Sequence, residues 1–142
     1  MPVKISKTFR WEMAHRLADH TGGCENIHGH SYRLVVEVNG QPDESGMVIE
    51  FAVIRQVVRP IIDLLDHAFL CHEGDSVMLD FLRKTGMNHV IVPFPTTVEN
   101  LTKWIAEQIA DPILGRRNVS ALTVRVHETR SAYAEIRLEV QA

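Results

Sequence analysis

Cysteine is scarce in this sequence, with two among 142 residues, and aromatic side chains make up only 6%. The two thiols, Cys24 and Cys71, allow at most a single disulfide. Because Met1-Pro2-Val3-Lys4-Ile5 carries no long apolar region, reduced thiols and a cytoplasmic location are expected, with Cys71 a buried spectator. No run approaches the ~18 apolar residues of a membrane-spanning helix, so no membrane partner is expected. Excess charge of one sign is also lacking. A net −3 spread over both signs leaves no basic stripe of the kind a direct nucleic-acid partner needs. There is no internal repeat and no low-complexity tract. What is present is 45% hydrophobic residues, enough core for one domain over residues 1–142.

The most informative stretch is Cys24-Glu25-Asn26-Ile27-His28-Gly29-His30-Ser31-Tyr32, preceded by His15 at the end of an apolar run. Residues two apart on a strand share a face. Phe9, Trp11, Met13 and His15 form one stripe, and His28, His30, Tyr32, Leu34, Val36 and Val38 form another. Both stripes terminate in histidine. Gly22-Gly23 marks the connecting loop, and an antiparallel pairing brings the three imidazoles to one end of a sheet. Three nitrogen ligands with an open fourth position match catalytic zinc, whereas structural zinc sites are closed and richer in cysteine. His15, His28 and His30 are therefore the expected metal ligands.

The remainder reads as two helices and two further strands. Asn39 to Gly46 is a dense turn cluster. Ile54, Val57, Val58, Ile61, Ile62 and Leu65 recur at helical spacing, with Pro60 expected to kink that helix. Within residues 71–95, Ser76 to Lys84 suggests a short helix closed by Gly86, and Val90-Ile91-Val92 a short strand. Thr96-Thr97-Val98-Glu99 has capping-box spacing before the stripe Val98, Leu101, Ile105 and Ile109, which should stop near Asp111-Pro112. Two alternating runs follow, Leu122 to Glu128 and Ala134 to Val140, joined by a turn at 129–132. The expected class is α+β: a four-stranded antiparallel sheet with two main helices on one face, in the order ββααββ. So small a sheet leaves open edges, which favours pairing with another copy.

Several side chains are candidates for chemistry. Cys24 lies four positions before His28, where a nearby cation favours the thiolate; it is either a base or nucleophile, or a fourth ligand that closes the site. Asp66-His67 pairs a carboxylate with an imidazole, an arrangement that tunes proton transfer, although histidine is also a common helix terminator. Glu128 continues an inward apolar stripe and needs a partner. That partner is either an amidine-like ligand edge, such as a pterin or guanine presents, or an arginine such as Arg125 or Arg137. Thr96 and Thr97 are candidates for substrate contact, with helix capping as the alternative and Glu99 assigned to the capping box.

Ala14-His15-Arg16-Leu17, the Cys24–His30 motif, Leu65-Asp66-His67, Pro95-Thr96-Thr97-Val98-Glu99-Asn100-Leu101 and His127-Glu128-Thr129 together resemble the 6-pyruvoyltetrahydropterin synthase family over most of the chain. The resemblance implies the tunnelling fold, with trimers that close a barrel and stack into hexamers. It also implies zinc on His15, His28 and His30, Cys24 abstracting protons, Asp66 and His67 relaying them from a neighbouring subunit, and Glu128 anchoring the pterin. The implied substrate is 7,8-dihydroneopterin triphosphate. Three residues between Cys24 and His28 are similar to the 6-carboxytetrahydropterin synthases of 7-deazaguanine and queuosine biosynthesis, whereas the pyruvoyl enzymes usually have a longer gap. Glu25 stands where other members use glutamate to make 6-hydroxymethyldihydropterin for folate synthesis; the alternative is an exposed loop side chain. A pterin-binding module with structural zinc is the non-catalytic alternative.

Overall fold

The computed structural model describes residues 1–140. Two long strands, β1 (Val3–His15) and β2 (His28–Gly40), pair antiparallel along their whole length, with Met13 opposite His30 and His15 opposite His28. Helix α1 (Phe51–Leu65) follows, then β3 (Ala68–His72), α2 (Ser76–Thr85), β4 (His89–Val92), α3 (Val98–Leu114), β5 (Val119–His127) and β6 (Tyr133–Glu139). The expected four-stranded antiparallel sheet in ββααββ order is thus corrected. Among the described residues the sheet has six strands in the order β4-β3-β1-β2-β5-β6, with β3 parallel to both β1 and β4, and there are three helices. The physical reason lies in β3, where Ala68, Phe69, Leu70 and Cys71 are all buried. A parallel strand covered on both faces has no alternation to read.

Its neighbours show why both faces are covered. Leu70 belongs to the main core with α1 and α3, which packs on Phe9, Trp11, Met13, Tyr32, Leu34 and the inward residues of β5. Phe69 and Cys71 belong to a second cluster with Met78 and Leu82 of α2 and with Ala14. Helix α2 therefore covers the sheet face opposite α1 and α3; the two main helices share one face as expected, and the third helix covers the other. It begins at Asp75, whose carboxylate accepts the Met78 N–H, and ends at Gly86 in the left-handed conformation with φ +68°.

Two helix boundaries differ from expectation. Pro60 lies inside α1 as expected, whereas Pro112 lies inside α3, which continues past Asp111-Pro112 to Leu114. Fully buried Ile113 in that last turn offsets the lost N–H. The cap of α3 is Thr97, which accepts from Asn100 N–H at 3.2 Å. Counted from Thr97, the third helical position is Asn100 and not Glu99, so the expected capping box on Glu99 is displaced by one residue.

Strand β1 pairs with β3 only at Met13 and Ala14. Among the described residues, its stretch from Val3 to Glu12 has no strand on that side. Strand β6 is the opposite edge.

Candidate active site

The register of β1 and β2 carries out what the histidine-ended stripes imply. Ring nitrogens of His15, His28 and His30 lie within 4.8 Å of one another. His15 is 1% exposed, and its Nδ1 sits 2.8 Å from the Thr96 carbonyl. His28 Nδ1 is 2.8 Å from the Asn26 carbonyl. Each carbonyl is an acceptor only, so each imidazole carries its proton on Nδ1 and presents Nε2 as a lone pair. His30 Nε2 faces His15 Nε2 at 3.2 Å. Burial lowers the His15 pKa to about 4, against the opposing effect of its bond to Thr96, and the neighbouring His28 and His30 lower it further. Burial likewise lowers that of His30, partly offset by Glu128. For His15 and His30 these effects favour the neutral imidazole. A convergent set of nitrogen donors, two fixed by backbone carbonyls, fits a divalent cation of the zinc type.

Glu128 approaches the cluster, with its carboxylate 3.7 Å from His30 Nε2. The arginine alternative does not hold. Arg125 engages Glu37 and Glu135, and Arg137 engages Glu139. Tyr32, stacked on Trp11 at 5.1 Å, floors the cluster with its ring 5.4 Å from His30; burial, then Glu128, raises its hydroxyl pKa.

Cys24 is a free, partly buried thiol on the 16–27 loop, and Cys71 is a free, buried one whose pKa burial raises. The loop is tied by Leu17 N–H to the Cys24 carbonyl at 2.7 Å. Glu25 is exposed in its side chain, while its carbonyl accepts from Arg16 Nη1 at 3.2 Å. Thr96 is buried at 2% and contributes backbone and hydroxyl to the frame, its Oγ1 bonding the Arg16 carbonyl at 3.2 Å. Thr97 caps α3.

Asp66 and His67 form a pair at 3.0 Å, outside the histidine cluster. The Glu12 N–H donates to Asp66 Oδ1 at 2.9 Å and depresses that carboxyl's pKa. His67 adopts φ +58°, uncommon outside glycine, and donates its own N–H to the Glu12 carbonyl at 2.6 Å. Its imidazole is 78% exposed. His67 and His30 border one open cavity of about 780 Å³, walled by apolar residues including Ile27, Phe69 and Phe81. The backbone acceptors Thr96 and Asn26 escaped the sequence reading, as did Asp75; of these only Asp75, before Ser76 at a helix start, had a local signal.

The model of the 6-pyruvoyl tetrahydropterin synthase family matches residues 4–139. The chain belongs to that family. A 6-carboxy-5,6,7,8-tetrahydropterin synthase from Haemophilus influenzae is 36% identical over 140 residues, covering 93% of this chain and 96% of that protein. A putative enzyme of the same name from Pyrococcus horikoshii is 30% identical, covering 94% and 88%. Among solved structures, a Plasmodium vivax 6-pyruvoyltetrahydropterin synthase with its catalytic glutamate replaced matches at TM-score 0.80 and 19% identity, over 99% of each chain. That likeness shows the shared fold. No helix among the described residues is long and apolar enough to cross a membrane.

Proposed function

We propose that this chain is a zinc-dependent 6-carboxy-5,6,7,8-tetrahydropterin synthase, a lyase that converts 7,8-dihydroneopterin triphosphate to 6-carboxytetrahydropterin, acetaldehyde and triphosphate in 7-deazaguanine and queuosine biosynthesis. The observation that carries the reading is the convergence of His15, His28 and His30 within 4.8 Å, with the Glu128 carboxylate 3.7 Å from His30. The names of the bacterial and archaeal relatives support it. A zinc ion held by those three imidazoles would supply Lewis-acid polarisation of the substrate's side-chain hydroxyls. Glu128 accepts the paired N–H donors of the pterin edge and so fixes the ring. Cys24 removes a proton from the substrate side chain, and His67, oriented by Asp66, moves protons on and off it. Thr96 holds His15 and, with Thr97, borders the bound substrate.

The subunit acts as a single domain over residues 1–142 in a cytoplasmic homo-oligomer, a trimer or hexamer. The unpaired length of β1 and the edge of β6 support this, because open edges are covered or paired in stable proteins. The exposure of His67 is consistent with its serving a neighbouring subunit's site.

The test is incubation of purified, zinc-loaded protein with 7,8-dihydroneopterin triphosphate and identification of products by mass spectrometry. Carboxytetrahydropterin with acetaldehyde is expected. A pyruvoyl product would reassign the chain within its family, and tight pterin binding with no product would make it a binding module. One observation favours a second activity: the Plasmodium vivax neighbour has a catalytic glutamate, and Glu25 is an exposed glutamate beside Cys24. Under that reading Glu25→Ala loses a hydroxymethyl product while the carboxy product persists; an unchanged product ratio rejects it.

A further inference from the structure

Arg16 follows the ligand His15 and reaches three separate segments. Its Nε and Nη2 donate to Asp75 Oδ2 and Oδ1, each at 2.7 Å, a bidentate fork. The remaining Nη1 donates to the Glu25 carbonyl at 3.2 Å, on the loop that carries Cys24. The Arg16 carbonyl accepts from Thr96 Oγ1, and the Thr96 carbonyl holds His15 Nδ1. The Asp75 side chain is 4% exposed and also caps α2 through the Met78 N–H at 3.2 Å. One residue beyond Glu25, the Asn26 carbonyl fixes His28 Nδ1 at 2.8 Å.

We propose that Asp75 and Arg16 are positioning residues for the reaction: the carboxylate at the start of α2 locks the guanidinium, and the guanidinium sets the Cys24–Asn26 backbone relative to His15 and His28. A guanidinium is planar, so fixing two of its nitrogens fixes the direction of the third. Without the fork, Nη1 is free to rotate, and the Glu25 carbonyl loses a charged donor. Segment 72–95 then has a function in the site that its distance in sequence conceals. It supplies the buttress for the proton-transfer loop. The proposal rests on the reading of Cys24 as the group that moves the proton.

The experiment compares Asp75→Asn and Arg16→Lys with the wild type. Asparagine still caps α2, and lysine keeps the charge but loses the fork. Hydrogen exchange followed by mass spectrometry reads the peptide 17–27 against α3, and steady-state turnover of dihydroneopterin triphosphate is measured on the zinc-loaded proteins. In both variants loop exchange should rise by roughly tenfold relative to α3. The kcat should fall about tenfold with KM within about twofold, as expected for a misplaced reacting group. Unchanged loop exchange in both variants overturns the clamp whatever the turnover, and so does faster loop exchange with unchanged kcat. If the wild type itself makes no product, the proposed function fails while loop exchange still decides whether Asp75 and Arg16 set the loop.

Discussion

Metal loading should stabilise this fold by an amount that three pre-oriented imidazoles make large. Two of them already have Nδ1 committed to carbonyls of Thr96 and Asn26, and one ring nitrogen of each of the three lies within 4.8 Å of the others. Little side-chain ordering remains to oppose binding. The unfolded chain has no such cluster, so zinc should act as a ligand of the native state, stabilising by about 2.7 kcal/mol when free zinc is about 100 times Kd. For a chain of 142 residues each kcal/mol moves Tm by about 3–4 °C, which gives a rise of roughly 8–11 °C. Each further tenfold in free zinc adds about 1.4 kcal/mol, or roughly 4–6 °C. The assay is a thermal melt across buffered zinc concentrations, for the wild type and for His28→Ala, which removes a ligand at a partly exposed position. The slope should be present in the wild type and lost in the variant. A full shift retained in both His28→Ala and His30→Ala would refute the reasoning, because the ion would then be bound elsewhere.

Three other outcomes follow from the same contacts. Cys24→Ala should abolish product formation while leaving the zinc-induced melting shift in place; retained turnover would remove the thiol from the mechanism. Thr97→Ala deletes the cap of α3 and should cost about 1 kcal/mol, read as a fall in Tm of roughly 3–4 °C, whereas an unchanged melt would mean the Asn100 N–H finds another acceptor. The Arg16 fork holds the Asp75 carboxyl below its usual range, so the folded pKa lies under the unfolded ~3.9. Its stabilisation is therefore complete above that unfolded value and disappears as pH falls through the folded one. Acid unfolding should show wild type more stable than Asp75→Asn by a constant margin near neutrality, with the margin closing below about pH 4; a margin independent of pH would place the effect in packing instead of charge.

Period-two patterning was sufficient for β1, β2, β5 and β6, because each carries an apolar stripe at alternate positions, even though the second face of β5 is largely buried too, at Ala121, Thr123 and His127. It also brought His15, His28 and His30 to one end of the sheet, since antiparallel pairing of two strands that both end in histidine leaves little freedom in where those ends lie. The Gly86 stop after Ser76–Lys84 marked α2, whereas its Asp75 cap is seen only in the structure. What no window could show was which face α2 covers. Ala68 to Cys71 is apolar at every position, and a strand buried on both faces carries no record of which helix lies on which side.

The same limit explains why Arg16 and Asp75 were not joined. They are 59 residues apart, and neither lies on a periodic stripe that would aim it. A charged side chain away from a stripe reads as a solvated one until the fold brings a buried counter-charge to it. Asp75 at 4% exposure without Arg16 would be an unpaired charge in a low-dielectric site, and Arg16 without Asp75 would be unoriented. Burial thus makes each residue depend on the other. The loop bearing Cys24 and Glu25 is exposed along most of its length, so under the proposed clamp its position relative to the imidazoles depends on that pair.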